Sequence, residues 1–506
     1  MLLLGIDLGT SSIKVSVVDS STHRCIASAQ YPETEADIIS LKTGWAEQSP
    51  DLWWQHVKQA ILKCNATRLY DPKEIAAIGI AYQMHGLVLV DKGQNILRNS
   101  IIWCDSRAVE IGDRAFDEIG EEKCLSHLLN SPGNFTASKL AWVKNNEPEI
   151  YDRVDKVLLP GDFIAMKLTG NVTTTMSALS EGIFWDFREH SISKDILNYF
   201  SFDSSLFPNL QAVFSDHGKL DDSVASDLSF TSGTSVTYKA GDQLNNALSL
   251  NVFQPGEVAA TAGTSGVIYG VSDQLEYDHQ SRINSFAHLN HQQNKNRIGV
   301  LLCVNGAGIF NRWVKNMFGA QSSYDALNHA AQDIPVGSGG LFSIPFGNGA
   351  ERMLNNKIVG AHLHRLDFNI HSQGHLVRSA QEGIAFAFRY GLDIMKENGI
   401  QPSIIRAGKA NLFLSDVFTQ SFVNATGVAV ELYQLDGSVG AALGAGIGAG
   451  LFKESDLTGN MKTVKTIEPS PEHQYEELYQ KWKAVLKAHL QKLNETNSLS
   501  QSIEKF

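Results

Sequence analysis

The chain is short of cysteine, has no surplus of basic residues, and contains no long apolar run, and each shortage excludes something. Cys25, Cys64, Cys104, Cys124 and Cys303 are its five cysteines in 506 residues. Scattered, odd in number and without a CxxC pair, they support neither a disulfide framework nor a zinc site, and read as reduced thiols of a cytoplasmic chain. Lys and Arg total 42 against 54 Asp and Glu, a formal net charge of −12. Such a chain has no basic surplus with which to release counterions from nucleic acid. No segment approaches the ~20 apolar residues that would span a bilayer. The N-terminal apolar run is broken by Asp7 and lacks a basic lead, unlike a signal peptide. Sequons at Asn65 and Asn171 are therefore expected to be chance matches. The expected partners are small molecules, with no nucleic acid and no membrane; a homodimer is one assembly the sequence allows. Two common phosphate cradles are also missing. There is no GxxxxGK[ST] loop, and no GxGxxG follows a strand with the required acid downstream.

What is present fits a large globular protein. Hydrophobic residues make up 43% and charged residues 19% of a length too great for one ordinary core, so two domains of roughly 200–250 residues are expected. "LLLGIDLG" and "IKVSVVDS" read as two strands joined by a Gly/Thr/Ser turn. "DLWWQHVKQAILKC" places Trp54, Val57, Ile61 and Cys64 at helical spacing. "EIAAIGIAYQ" reads as a buried strand, "GLVLVDKGQNILR" as a hairpin turning at Lys92-Gly93, and "SIIWCD" as a strand end. The alternation indicates a layered α/β architecture. Near residue 256 the opening device recurs: "GEVAATAGTSGVIYG" is again strand, glycine–hydroxyl turn, strand. Duplication is the reading that follows, with units at 1–251 and 256–450 and a boundary at the Pro/Gly-containing "NVFQPG". The remaining unit, 451–506, is expected to hold a helix over "EHQYEELYQKWKAVLKAHLQKL", with Leu478, Trp482, Val485, Leu486, Leu490 and Leu493 on one face, and a frayed final dozen.

Four stretches carry chemistry. In the first turn, backbone N–H groups at Gly9 and the hydroxyls of Thr10, Ser11 and Ser12 suit phosphate oxygens. Asp7 beside them would repel phosphate unless it held a cation, which points to Mg²⁺; an Asx-capped turn would use the same residues. In "AGDQLNNALSL", Asp242 follows a glycine at a strand-to-helix corner, where a simple helix cap is the alternative. Gly263, Thr264 and Ser265 repeat the first turn. "IIRAGKANLF" and the small-residue stretch "DGSVGAALGAGIGAG" complete the set. Histidine pairs such as His288/His291 and His362/His364 lack a carboxylate or cysteine partner at zinc spacing and read as structural.

In this order the stretches resemble the FGGY family of carbohydrate kinases, from Leu2 to about Gly450. The resemblance implies an α/β fold of two actin-like (ribonuclease H-like) ATPase domains flanking a central cleft, with ATP and Mg²⁺ as cofactors. It assigns the ATP phosphates to Gly9, Thr10, Ser11, Ser12, Gly263, Thr264 and Ser265, the adenosine to Gly408, Lys409 and Asn411, and the metal to Asp7 and Asp242. Asp242 is the implied catalytic base. "AYQMHGLVLVD" and "IIWCDSRA" are similar to the xylulokinase branch, which places Met84, His85, Asp105, Arg107, Asp242 and Gln243 on the sugar. The implied reaction is phosphorylation of a ketopentose such as D-xylulose; kinases of other polyols, ketoses or aldonates, and an actin-like nucleotide switch, are the competing readings. Three departures stand out. Gln243 replaces the branch's Asn, Met353-Leu354 replaces Thr-Pro after Ala350-Glu351-Arg352, and the glycine-rich adenosine segment is reduced to Ala407-Gly408-Lys409.

Overall fold

The computed structural model describes residues 1–319, 322–434, 436–460, 463–470 and 474–503. Two mixed sheets organise it. The first contains β1 (Leu2–Leu8), β2 (Ile13–Asp19), β3 (Cys25–Tyr31), β4 (Ile75–Tyr82), β5 (Phe214–Lys219) and β6 (Ser235–Gly241), in the order β5-β6-β4-β1-β2-β3. The second contains β7 (Glu257–Ala262), β8 (Gly266–Ser272), β9 (Asn284–Ala287), β10 (Ile298–Val304), β11 (Ile404–Gly408), β12 (Val430–Tyr433) and β13 (Thr463–Ile467), in the order β9-β10-β8-β7-β11-β12-β13. Each sheet has three adjacent parallel strands, β6-β4-β1 and β7-β11-β12, with antiparallel strands outside them. The edge strand beside β6 comes from before it in the chain, whereas the one beside β12 comes from after it.

The opening strand is apolar almost throughout because both faces of its sheet are covered. Leu2, Leu4, Ile6 and Leu8 face one core with Val57, Ile61 and Phe163 of α1 (Pro50–Asn65) and the helix Pro160–Thr169. On that helix α1, Trp53 is buried and Trp54 is only partly so, in place of the expected Trp54. Positions 53, 57, 60 and 64 form the inward stripe. The opposite face of β1 and β4 carries Gly5, Ala77, Gly79 and Ala81. A Cβ on Gly5 would lie 1.8 Å from the Ser438 carbonyl oxygen, and one on Gly79 1.9 Å from that of Ala441. These glycines let the small-residue helix Gly437–Gly448 lie directly on the first sheet, although in sequence it lies between β12 and β13 of the second.

The C-terminal helix Gln474–Ile503 packs on the second half through Tyr475, Tyr479, Trp482 and Leu486, and the Trp482 indole donates to the Ser343 carbonyl at 2.9 Å. It runs on to Ile503, beyond the point where fraying was expected; residues 474–503 contain no Gly or Pro to stop it. Among the described residues no helix is long and apolar enough to cross a membrane.

Candidate functional site

Strand direction assembles the site. Because β1, β4 and β6 are parallel neighbours, their C-terminal ends meet on one edge, with Asp7 opposite Ala81 and Gly241 opposite Tyr82. Asp7 and the Gly9–Ser12 turn leave β1, Gln83-Met84-His85-Gly86 leaves β4, and Asp242 leaves β6 as the first residue of the helix Asp242–Ser249. Gly241 closes the corner: a Cβ there would lie 2.6 Å from Met84 and 2.7 Å from Glu181. Asp242 is pushed up to about 6, mainly by burial, with hydrogen bonds from Gln243 opposing. Asp7 is pushed up to about 7 by burial, then by the charges of Asp242 and Asp436, with Lys14 opposing. The Lys14 ammonium is paired to Asp436 at 2.9 Å. Gln243 presents a buried side-chain oxygen without a partner.

The first turn is tied to its surroundings by one hydroxyl. Thr10 donates to the Gln83 side chain at 3.1 Å and accepts from the Trp103 indole at 3.0 Å, while Gln48 donates to its carbonyl at 2.8 Å. The hydroxyls of Ser11 and Ser12 have no such engagement among the described residues. Trp103, which the segment "IIWCDSRA" carries without a role of its own, is 52% exposed beside this turn.

Asp105 and Arg107 lie elsewhere than expected. Their side chains are 0% and 1% exposed. Asp105 accepts from the Ala46 N–H at 2.5 Å, from the Arg107 N–H at 2.9 Å, and from the guanidinium at 2.7–3.0 Å. Arg107 also pairs with Glu47 at 2.7 Å and stacks 3.8 Å over Trp45. A carboxylate saturated and closed off in this way has no lone pair to offer a sugar. The pair braces the Trp103 loop.

His85 adopts φ +63°, with its ring against Phe135 and Phe286 at 4.9 and 5.5 Å. Phe286 belongs to β9 of the second sheet, so His85 sits where the two halves meet. Asn130 donates to the Ser285 carbonyl at 2.6 Å, and Ser180 accepts from the Ala287 N–H at 2.9 Å, at the same seam. Arg352, half-buried and with its guanidinium hydrogen-bonded among the described residues only to the Ser281 carbonyl at 3.4 Å, adds positive charge near His85. Its loop was quoted from the sequence without a role.

The second turn repeats the first. Gly263, Thr264 and Ser265 join β7 to β8, and the carbonyls of Gly263 and Thr264 accept from the N–H groups of Gly308 and Ile309 at 3.0 and 2.9 Å. A cavity of about 360 Å³ opens beside it, lined by Gly263, Thr264, Asn311, Arg312, Tyr324, Asp325, Asn328 and Asn411 among others. Asn411, at φ +53°, follows the turn that leaves β11 at Gly408. Lys409 has its side chain in solvent, and its N–H donates to the Tyr433 carbonyl at 2.7 Å. The helices Gly308–Met317 and Tyr324–Gln332, which supply much of this wall, escaped the sequence reading; the run Asn305-Gly306-Ala307-Gly308 before an amphipathic stretch is the signal they carry. His288 is structural, bonded to the Tyr269 hydroxyl at 2.8 Å and the Val252 carbonyl at 3.1 Å. No group of three His, Cys, Asp or Glu side chains converges as a metal site among the described residues.

Residues 2–249 match the N-terminal domain of the FGGY family of carbohydrate kinases. The chain is 29% identical over 403 residues to a xylulose kinase of Bacillus subtilis, covering 78% of each, and 28% identical over 451 residues to that of Escherichia coli, covering 87% and 88%. Among solved structures it superimposes on a protein described as a xyloylose kinase from Brucella ovis with a TM-score of 0.88 at 25% identity, over 96% of this chain and 99% of that one. A gluconate kinase from Lactobacillus acidophilus gives a TM-score of 0.87 at 22% identity, over 97% and 98%, a likeness of fold. Two mixed sheets, paired glycine–hydroxyl turns and an acid opening a helix between them thus coincide with this kinship: residues 2–249 belong to the FGGY family of carbohydrate kinases as its N-terminal domain, and the chain is an ATP-dependent sugar phosphotransferase.

Proposed function

We propose that the chain transfers the γ-phosphate of ATP to a hydroxyl of a ketopentose, D-xylulose first among them, with Asp242 as the general base. The observation that carries this reading is the common edge of β1, β4 and β6. Asp7, Asp242 and the segment that carries His85 all stem from that edge, beside the unpartnered Gln243 oxygen, which supports reading them as one site. Met84, His85 and Gln243 would receive the sugar; the two turns would receive the phosphates; the cavity at Asn311, Arg312 and Asn411 would receive the adenosine. Gly408 would let the backbone approach it, and Lys409 would stay at its exposed margin.

In the reaction, Asp242 accepts the hydroxyl proton as that oxygen forms a bond to the γ-phosphorus and the bond to the ADP oxygen breaks on the opposite side. N–H groups of the two turns and the Ser11, Ser12, Thr264 and Ser265 hydroxyls stabilise the charge spread over the transferring oxygens. Asp7 and Asp242 fit a divalent cation by their chemistry: two coupled carboxylates, each held above its usual range, next to a phosphate turn. One or two carboxylates plus phosphate oxygens are a usual Mg²⁺ donor set, and the ion would neutralise phosphate charge. Closure of the two halves would exclude water as a competing acceptor.

The test is ADP release over a panel of pentuloses, hexuloses, glycerol and gluconate. The reading requires the highest kcat/KM for D-xylulose; a larger value for gluconate or glycerol replaces the substrate while leaving the reaction class intact.

A further inference from the structure

Building on the reading of Gln83–Gly86 as the sugar side, we propose that Glu181 and Lys139 are positioning residues that fix His85 as a hydrogen-bond acceptor toward the substrate. The substrate group that meets it must then be a hydroxyl, since a carbonyl or carboxylate has no proton to give.

His85 sits in the left-handed region, which L side chains adopt rarely and need support to hold. Its N–H donates to Glu181 Oε1 at 3.3 Å, and its carbonyl accepts from Lys139 Nζ at 2.9 Å. Its ring Nδ1 lies 3.0 Å from the Glu181 carbonyl oxygen. A carbonyl only accepts, so Nδ1 carries the proton, and in a neutral imidazole Nε2 then offers a lone pair alone. No hydrogen bond engages Nε2 among the described residues. Burial, reinforced by the Lys139 cation and opposed by the Glu181 carbonyl, holds the ring's pKa down to about 3, with Arg352 adding a smaller push in the same direction.

The two supporting residues are fully buried and lie on separate elements. Glu181 ends the helix Met176–Glu181, which is capped by Thr175 and pinned to β9 through Ser180. Its Oε2 has no partner, and burial holds its carboxyl well above the usual range. Lys139, on the helix Thr136–Asn146, also donates to the Ile102 carbonyl at 3.0 Å. One ammonium thereby ties the His85 turn to the Trp103 loop, the two segments that the sequence places on the sugar. An acceptor at His85 favours a ketose or polyol hydroxyl over the carboxylate of an aldonate, because a carboxylate oxygen would face the lone pair with both groups desolvated.

The experiment is ¹⁵N NMR of histidine-labelled protein between pH 5.5 and 8, with the His85 ring assigned by its loss in His85→Gln. The expected spectrum has Nδ1 protonated and Nε2 bare throughout, in the wild type and in Glu181→Gln, whose amide oxygen still accepts the His85 N–H. An imidazolium or an Nε2–H tautomer overturns the proposal. Kinetics supply the second readout. Glu181→Ala and Lys139→Met should raise the sugar KM by about 10-fold or more while the ATP KM stays within about 2-fold, and Glu181→Gln should restore the sugar KM. Equal losses for both substrates, or none, overturn the positioning role. The tautomer is read without substrate, so a wild-type enzyme inactive on every sugar would sink the proposed function and not this inference.

Discussion

At Asp242 the carboxylate opens a helix inside a buried field that raises it to about 6, and the pH dependence follows from the sign of that shift. A base must be ionised to accept a proton, so kcat/KM for the sugar should fall as pH drops through about 6 and level off above it. A pH–rate profile with no loss between 7 and 5 would contradict the role. Asp7 allows a test on stability. Its folded pKa, about 7, stands above the ordinary 3.8, so its contribution is fully present below the unfolded value and lost as pH rises through 7. Asp7→Asn should therefore raise the Tm of the ligand-free protein in chelator by roughly 1–4 °C at pH 8. Near pH 4 the gain should vanish, and scanning calorimetry at both values checks it. Asp7, Gly9–Ser12 and Asp242 stood out as candidates because each lies in a contiguous motif, and the structure brings Asp7 and Asp242 to one strand edge. Asp105 was misread for the opposite reason: its partner Ala46, and the Glu47 that shares Arg107 with it, stand nearly sixty positions earlier, and residue type alone does not show that a carboxylate is already engaged.

The elements explain both what the sequence made plain and what it hid. Apolar runs identified β1, β2, β4, β7 and β8, since strands covered on both faces need no alternation. Helical period found α1 but took the wrong indole as its anchor, because neighbouring tryptophans are 100° apart and only packing chooses between them. The walls of the cavity beside the second turn were hidden, as the helices Gly308–Met317 and Tyr324–Gln332 are announced by nothing more specific than the run Asn305-Gly306-Ala307-Gly308 before the first of them. Two outcomes belong to this scale. Asp105→Ala leaves the buried Arg107 guanidinium with Glu47 as its one carboxylate partner among the described residues and should cost about 1.5–3 kcal/mol in chemical denaturation; a variant of wild-type stability that loses only sugar affinity would restore Asp105 to the sugar. Gly308→Ala sets a Cβ 2.1 Å from the Gly263 carbonyl oxygen. It should raise the ATP KM about 10-fold or more by moving the second turn, with the sugar KM little changed. An unchanged ATP KM would remove that turn from the nucleotide.

Across the whole molecule, the repeated glycine–hydroxyl hairpin was the sequence's clearest statement of architecture, and both sheets place it at the same point, on the first of three parallel strands. The helix Gly437–Gly448 could be read as small and closely packed, but its destination on the other sheet depends on Gly5 and Gly79, far away in sequence. Two similar sheets with their parallel ends turned toward one cleft allow one half to hold the phosphate acceptor and the other the donor. The central claim is that transfer occurs at this cleft with Asp242 taking the proton. Its most direct test is sugar-dependent ADP release by the wild type and by Asp242→Asn at pH 7.5, with binding of ATP and D-xylulose followed separately by calorimetry. The account predicts that both ligands bind the variant while kcat falls at least about 10²–10⁴-fold; a folded variant with near-normal turnover would contradict it.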